Sequence, residues 1–445
     1  MSVTVGIQEL RVGMFVHLDL GWWAHPFALS SFLVTTPEQI TTIRGLGLNK
    51  LRWSPEKSRL DGPTAPDDTA SQTVATLGSP APAAVAGAAT PPTDTELTSG
   101  APGGAAQALR PRSVLATQRA AQQLCEQQYS EAGCAWNEAQ RLVPRQPGQA
   151  LAVTEGLTRA LLDKMMVDRE MCVRVLNDVG GDPVSGHALN VTVISLLMAR
   201  VFGFTEPDLM DTGMGALLHD VGKLDLPDRV RFGDSHLSPS EMKQYRDHVA
   251  LGVAHGRRMG MSEGAITVLA QHHEMVDGSG FPGRLNVDRI STAARIVSLV
   301  NRYDNLCNPP QAAQSLTPHE ALSLIFAQTR SKFDATMLNA FIRMMGVYPP
   351  GSVVQLTDDR YASVISVNSS RPLKPRVLVC DTRIPVDDAL LLNLDGMADI
   401  GIRRSLKPTQ LPAAVRDYLS PRPRMVYFFE PVQVAAAPAM AALTA

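Results

Sequence analysis

A chain of 445 residues, 44% apolar and 19% charged, is long enough for two to four domains, each with its own core. A formal net charge of −2 excludes a globally basic surface, so no nucleic acid polymer is expected as a partner and any anion site must be local. The cysteines (Cys125, Cys134, Cys172, Cys307 and Cys380) show no Cys-x-x-Cys spacing, which argues against a disulfide framework or a structural zinc site and for reduced thiols in the cytoplasm.

Residues 1–58 read as a small mixed domain. Alternation at Met14-Phe15-Val16-His17-Leu18 suggests short strands, and Trp22, Trp23 and Phe27 suggest core. The first residues lack the basic flank and apolar run of a signal peptide. No stretch is expected to reach the roughly 18 apolar residues of a membrane span, so no membrane is expected as a partner. Residues 59–110 are Ala, Pro, Gly, Thr and Ser, a composition that cannot offset its ordering entropy, and read as a disordered linker. Residues 111–180 read as a helical connector interrupted near Pro144 and Pro147. Residues 181–345 form a helical block, with Val191, Ile194, Leu197 and Met198 on one helix face and Ile296, Leu299 and Val300 on another. After Pro349-Pro350-Gly351 the β-branched runs Ser-Val-Val-Gln-Leu, Ala-Ser-Val-Ile-Ser-Val and Arg-Val-Leu-Val-Cys predict a small β-rich extension over 346–431. The Ala-rich tail, 432–445, is expected to fray. The fold class is therefore mainly α, with a small mixed or β N-terminal domain and a β-rich C-terminal extension.

Seven of the ten histidines fall between His187 and His273. Neutral imidazole is the commonest metal ligand, and a His-Asp pair adds a carboxylate oxygen, a mixture that suits manganese, iron or zinc. His219 and Asp220 follow the apolar run Met214 to Leu218 and precede Gly222, as at a helix end opening on a cavity. Neighbours on a helix diverge by about 100°. The adjacent pairs His219-Asp220 and His272-His273 therefore point to at least two metals, with His187, His248 and Asp304 completing the set from separate helices. Such a site clamps attacking and leaving oxygens at phosphorus. Lys223 stands where it could neutralise charge on the phosphate. His17, His25, His236, His255 and His319 read as ordinary loop, core or surface residues.

His219-Asp220-Val221-Gly222-Lys223, together with His272-His273-Glu274-x-x-Asp277-Gly278-Ser279-Gly280-Phe281-Pro282-Gly283, resembles the HD-GYP domain, a bacterial branch of the HD phosphohydrolases that degrades cyclic di-GMP. The likeness runs from about His187 to Asp334. Residues 1–58, with Gly13-Met14-Phe15-Val16 and His25-Pro26-Phe27, resemble a domain of unknown function that often precedes HD-GYP domains. The resemblance implies a helical-bundle metallo-phosphohydrolase core. It implies that His187, His219, Asp220, His248, His272, His273 and Asp304 bind two divalent ions, iron or manganese, and that Lys223 holds the scissile phosphate. It implies a metal-bridging hydroxide that opens the cyclic dinucleotide to pGpG or on to GMP. The loop Asp277 to Gly283 would line the mouth of the site, with Gly280, Phe281 and Pro282 contacting substrate, and Asp277 is a candidate for passing a proton to the leaving oxygen.

Three departures from the family pattern stand out. Phe281 replaces the signature Tyr, a triplet linked to docking of diguanylate cyclases and other signalling partners. Pro183 stands where some members carry a third-metal Glu, with Asp182 beside it. No Lys or Arg lies between Arg302 and Arg330, where a pair gripping the substrate phosphates is usual. Arg284, Arg289, Arg295 or Arg302 are the compensating candidates, and Arg295 reads equally as an interior ion-pair partner. The leading expectation is a cyclic di-GMP phosphodiesterase. The alternatives are a metal-bound regulatory or scaffold protein of weak activity, or a phosphohydrolase for another nucleotide. Oligomeric state is left open.

Overall fold

Proline punctuates this chain. Pro37, Pro147, Pro183, Pro207, Pro239 and Pro318 each stand in the first turn of a helix, where the missing N–H has no intrahelical partner to lose. Side-chain caps precede most of these starts: Thr36, Asp182, Thr205, Ser238 and Thr317 each accept a hydrogen bond from a backbone N–H inside the first turn. Ser262, Ser291 and Asp334 cap three further helices in the same way.

The computed structural model describes residues 3–19, 31–58, 104–166, 171–176, 182–232, 237–368 and 371–431. The expected linker lies outside the described residues up to 103, as do Trp22, Trp23, His25, Phe27, His236 and the tail 432–445. The chain divides into two compact units, with residues 3–18 and 31–58 in the first and those from 114 on in the second.

The first unit holds strands β1 (Val3–Gly6), β2 (Phe15–His17) and β3 (Ser31–Leu33), helix α1 (Pro37–Gly45) and strand β4 (Lys50–Trp53). They form an antiparallel sheet of order β1-β4-β2-β3, with Val5 opposite Leu51 and Val16 opposite both Phe32 and Trp53. Val16, Val34, Ile43 and Leu51 make its core. Both His17 ring nitrogens are engaged, by Ser31 Oγ at 2.8 Å and Ser54 Oγ at 2.9 Å, so this histidine is structural.

The second unit begins within a long helix, α2 (Gly104–Leu142), followed by α3 (Pro147–Met165) after the expected break at Pro144 and Pro147. Strand β5 (Met171–Val175) comes next, then α4 (Pro183–Val201), α5 (Glu206–Leu218), the short α6 (Asp228–Arg231), α7 (Pro239–Met259), α8 (Glu263–Gln271) and α9 (Thr292–Cys307). Helices α10 (Pro318–Gln328) and α11 (Ala335–Met345) close the helical block. Strands β6 (Val353–Leu356), β7 (Tyr361–Asn368), β8 (Arg376–Val379), β9 (Leu391–Asn393) and β10 (Ile402–Leu406), helix α12 (Ala413–Leu419) and strand β11 (Tyr427–Pro431) complete it.

Two expectations need correction. By length and composition α4 is apolar enough to cross a membrane, yet 72% of it is buried within the protein. It is the central helix, packed against α5, α9 and β11, and a helix surrounded by protein on all sides is apolar all round. Residues 111–180 are also not wholly helical, because β5 joins the C-terminal sheet. That sheet runs β10-β6-β7-β5-β11, all antiparallel, with β8 on the other edge of β7 and β9 beyond it. The core of the helices continues into it through Tyr427, Phe428 and Phe429.

A buried ion pair locks the strand supplied from the helical half. Arg174 on β5 meets Glu430 on β11 at 2.9 Å, both about 3% exposed; Arg376 lies 3.3 Å from Glu430, and Gln122 accepts from Arg174 at 3.1 Å. Removing Arg174 leaves the buried Glu430 carboxylate with Arg376 alone as its cation, short of the pairing it needs in low dielectric. Arg174→Met is therefore expected to lower unfolding free energy by about 3 kcal/mol in urea titration.

Candidate metal centre

Both adjacent pairs sit where helices stop. His219 is the C-cap of α5 and His272 the C-cap of α8, positions where the last carbonyls lack N–H partners. The side chains use those carbonyls. His219 Nδ1 donates to the Ala216 carbonyl at 2.7 Å, and His272 Nδ1 to that of Leu269 at 2.8 Å. On α7, His248 Nδ1 donates to the Tyr245 carbonyl, and on α4, His187 Nδ1 donates to Asp304 Oδ2 at 2.7 Å. A carbonyl or carboxylate can only accept, so the proton is on Nδ1 in all four rings and Nε2 presents a lone pair.

These lone pairs converge. His187 Nε2 lies 3.1 Å from His219 Nε2, and His248 Nε2 lies 3.3 Å from His272 Nε2. Asp220 stands between the two couples: Oδ2 is 3.4 Å from His219 and 3.7 Å from His187, while Oδ1 is 3.6 Å from His248 and 3.9 Å from His272. The donor atoms thus form two groups sharing Asp220, one with His187 and His219, the other with His248, His272 and His273, and within each group they lie within 4.8 Å of one another. Asp220 Oδ1 and His273 Nε2 are buried without a hydrogen-bond partner among the described residues. Facing lone pairs and orphaned buried acceptors are costly unless a cation satisfies them. The nitrogen-rich set with one carboxylate fits divalent transition metals, and this His/Asp cluster could hold them.

The electrostatics agree. Burial, reinforced by neighbouring imidazoles, holds His272 and His273 well below the usual histidine range, and burial likewise lowers His248. All three are neutral at cellular pH, the form that ligates. Burial disfavours the Asp220 carboxylate, but Lys223, then His219 and His248, outweigh it and keep the acid ionised. Lys223 Nζ sits 2.6 Å from Asp220 Oδ2 and 5.1 Å from the Tyr245 ring centroid. Burial opposes its charge, and the Asp220 carboxylate more than compensates, raising its pKa.

Two glycines allow this geometry. A Cβ on Gly222 would strike the His248 carbonyl, so the turn after Asp220 packs directly on the α7 backbone. A Cβ on Gly280 would come within 2.5 Å of the His273 carbonyl oxygen and 2.6 Å of Glu274 Cα. The loop they support is anchored by Glu274, whose carboxylate accepts from Gly283 N at 2.5 Å and Leu285 N at 2.9 Å. Phe281, followed by a cis bond to exposed Pro282, stacks on His273 with centroids 4.5 Å apart and lies 5.2 Å from the Arg246 guanidinium.

Several expected site residues take other roles. Asp304 has both oxygens committed: Oδ2 to His187, and Oδ1 to Asn190 at 2.8 Å and Asn308 at 2.9 Å. It orients the His187 ring and lies outside both donor groups. Arg295 donates to Asp334 Oδ2 at 2.8 Å and to the Ile290 carbonyl, the contacts of an interior ion pair. Asp277 is exposed, accepts from Ser279 N and Oγ, and is held below its usual pKa by those bonds, which makes it a poor proton donor. Asp182 caps α4. His255 pairs with Asp225 at 2.8 Å, and His319 bonds the Val347 carbonyl at 2.8 Å.

Sequence reasoning gave no role to Asn190, Asn308, Glu274, Tyr245 and Arg246. Helical spacing offered a signal for the asparagines, three residues after His187 and four after Asp304, on the faces of those residues. Gly222→Ala is expected to push α7 from the turn, cost about 2 kcal/mol or more, and reduce metal uptake measured by plasma mass spectrometry.

Comparison with known proteins accords with this geometry. Residues 170–337 match the family described as HD domain, and residues 2–150 match a domain of unknown function, DUF3391, a span that runs past residue 58. The chain is 29% identical over 198 residues to a cyclic di-GMP phosphodiesterase of Pseudomonas aeruginosa, covering 43% of this chain and 47% of that one. It is 28% identical over 202 residues to a cyclic di-GMP phosphodiesterase response regulator of Xanthomonas campestris, covering 44% and 53%. The chain therefore spans about half the length of the curated relatives it matches. Among solved structures, an HDG"Y"P protein from Bdellovibrio bacteriovorus aligns over 77% of this chain and 98% of that one, at 14% identity and a TM-score of 0.39. The chain thus carries an HD domain over residues 170–337, preceded by a DUF3391 region over residues 2–150.

Proposed function

We propose that this protein is a metal-dependent phosphodiesterase acting on cyclic di-GMP, with two divalent ions, iron or manganese, shared across Asp220. The observation that carries the reading is the pair of donor groups meeting at one carboxylate, each oxygen of which faces a different couple of imidazoles. The substrate assignment rests on the names of the relatives. His187, His219 and Asp220 would hold one ion, and Asp220, His248, His272 and His273 the other. Bound there, such ions supply a nucleophile at neutral pH and offset phosphate charge.

The chain's own residues do the rest. Asp304 fixes the His187 ring, and the Ala216, Tyr245 and Leu269 carbonyls fix the other three. Lys223, charged and held at Asp220, places a cation where the phosphorane-like transition state gathers negative charge. Gly280, Phe281 and Pro282 would form one wall of the approach, with the Phe281 ring committed in part to packing His273. The bond between phosphorus and a ribose oxygen breaks as water adds, giving linear pGpG, and a second round would give GMP. The proposed setting is the cytoplasm, consistent with five cysteines that form no disulfide.

A second reading, a metal-bound regulatory protein of weak activity that works through a signalling partner such as a diguanylate cyclase, rests on the absence of Lys or Arg between Arg302 and Arg330. Anaerobically purified protein supplied with iron or manganese separates the two. The proposal expects pGpG or GMP by chromatography; bound metal without turnover favours the regulatory reading. Asp220→Ala is expected to lose metal and turnover together. Lys223→Ala is expected to keep metal and lower kcat roughly a hundredfold, and equal metal content in wild type and Asp220→Ala would defeat the assignment.

A further inference from the structure

A cyclic dinucleotide carries two phosphodiester anions in one ring, and only one is cleaved at a time. On the reading above, Lys223 serves the reacting phosphate. The second needs its own cations, and the obvious sources do not provide them. The stretch between Arg302 and Arg330 holds no Lys or Arg, and Arg295 is spent on Asp334.

A cavity of about 280 Å³ adjoins the first donor group, lined by His187, Asn190, Asn308, Arg422 and Arg424, with Asp182 also in its wall. That is near the lower end for small-molecule sites and suits a phosphate-bearing part of a dinucleotide. The arginines come from the segment between α12 and β11, far along the chain from the histidines, and both are half-buried. Their position is fixed by hydrogen bonds beginning at the next residue. Met425 N donates to Asn308 Oδ1 at 2.7 Å, and the Met425 carbonyl accepts from Asn190 Nδ2 at 2.8 Å and Asn308 Nδ2 at 2.9 Å. Tyr427 N donates to Asn190 Oδ1 at 2.8 Å. The same two asparagines bind Asp304, which binds His187. One continuous network therefore ties the arginine-bearing segment to a candidate metal ligand.

The geometry points to a substrate-anchoring role for the C-terminal extension: Arg422 and Arg424 hold the phosphate of the cyclic dinucleotide that is not being cleaved. This rests on the phosphodiesterase reading and supplies the grip that the residues after Asp304 lack. Guanidinium groups suit the task because they bind phosphate oxygens through paired, charge-assisted hydrogen bonds. Asp182 in the same wall serves as the N-cap of α4, accepting from Ser185 N at 3.2 Å. Pro423 between the two arginines restricts the backbone that presents them.

The test is the full-length double variant Arg422→Ala/Arg424→Ala, loaded with metal. Metal content is read by plasma mass spectrometry, and kcat and KM are measured on cyclic di-GMP and on bis(p-nitrophenyl) phosphate, a diester with a single phosphate. The expected result is full metal content, a KM for cyclic di-GMP raised tenfold or more, a much smaller loss on the single-phosphate diester, and partial recovery in Arg422→Lys/Arg424→Lys. An unchanged KM, equal losses on both substrates, or loss of metal would overturn the anchoring role. Wild-type protein that neither binds nor cleaves cyclic di-GMP would overturn the phosphodiesterase reading, and the anchor with it. Wild-type turnover with an insensitive double variant would overturn the anchor alone.

Discussion

Four imidazole nitrogens, each left with a bare lone pair by a hydrogen bond on the far side of its ring, face one another around a single carboxylate. That arrangement is electrostatically unfavourable in isolation, and much of the helical core is organised to enforce it. Helices α5 and α8 end so that their last carbonyls fix His219 and His272. Gly222 lets the turn after Asp220 lie against α7, so that His248 reaches the same point. Burial lowers the pKa of His248, His272 and His273 while Lys223 keeps Asp220 ionised. A protein maintains such convergence when cations repay it, because orphaned buried acceptors otherwise cost a few kcal/mol each.

Asp304 extends the constraint outward. Its oxygens gather His187 from α4, Asn190 one turn later, and Asn308 just beyond α9. The asparagines in turn bind the backbone at Met425 and Tyr427, so β11 is tied to the site as well as to β5. The β-rich extension is thus part of the wall around the donors. Its core is continuous with that of the helices through Tyr427 and Phe428. The central helix α4 shows what this burial does to composition: enclosed on every side, it acquires the apolar content of a membrane span.

The donor residues were legible in the sequence because metal chemistry restricts residue type and helix geometry restricts spacing. His219-Asp220 announces itself as a pair at a helix end and His272-His273 as an adjacent pair, and the structure brings His187 and His248 to the same place. The strands after Pro350 were legible from β-branched alternation. What was not legible depends on contacts distant in sequence. Nothing local in Met171–Val175 indicates pairing with Tyr427–Pro431, more than 250 residues on. Asp304 carries the residue type of a ligand, and only its neighbours reveal that both oxygens are taken. Asp277 and Arg295 had plausible chemistry, yet a serine two residues away and an aspartate on α11's N-terminus claim them. Arg422 and Arg424 carried no signal, because a cation's value depends on what it faces.

The central claim is that two ions share Asp220. Anomalous diffraction from crystals grown with manganese, recorded at the manganese edge, tests it most directly. The account predicts two peaks, each within coordination distance of a different Asp220 oxygen, one beside His187 and His219 and the other beside His248, His272 and His273. A single peak, or peaks that do not touch Asp220, would contradict it.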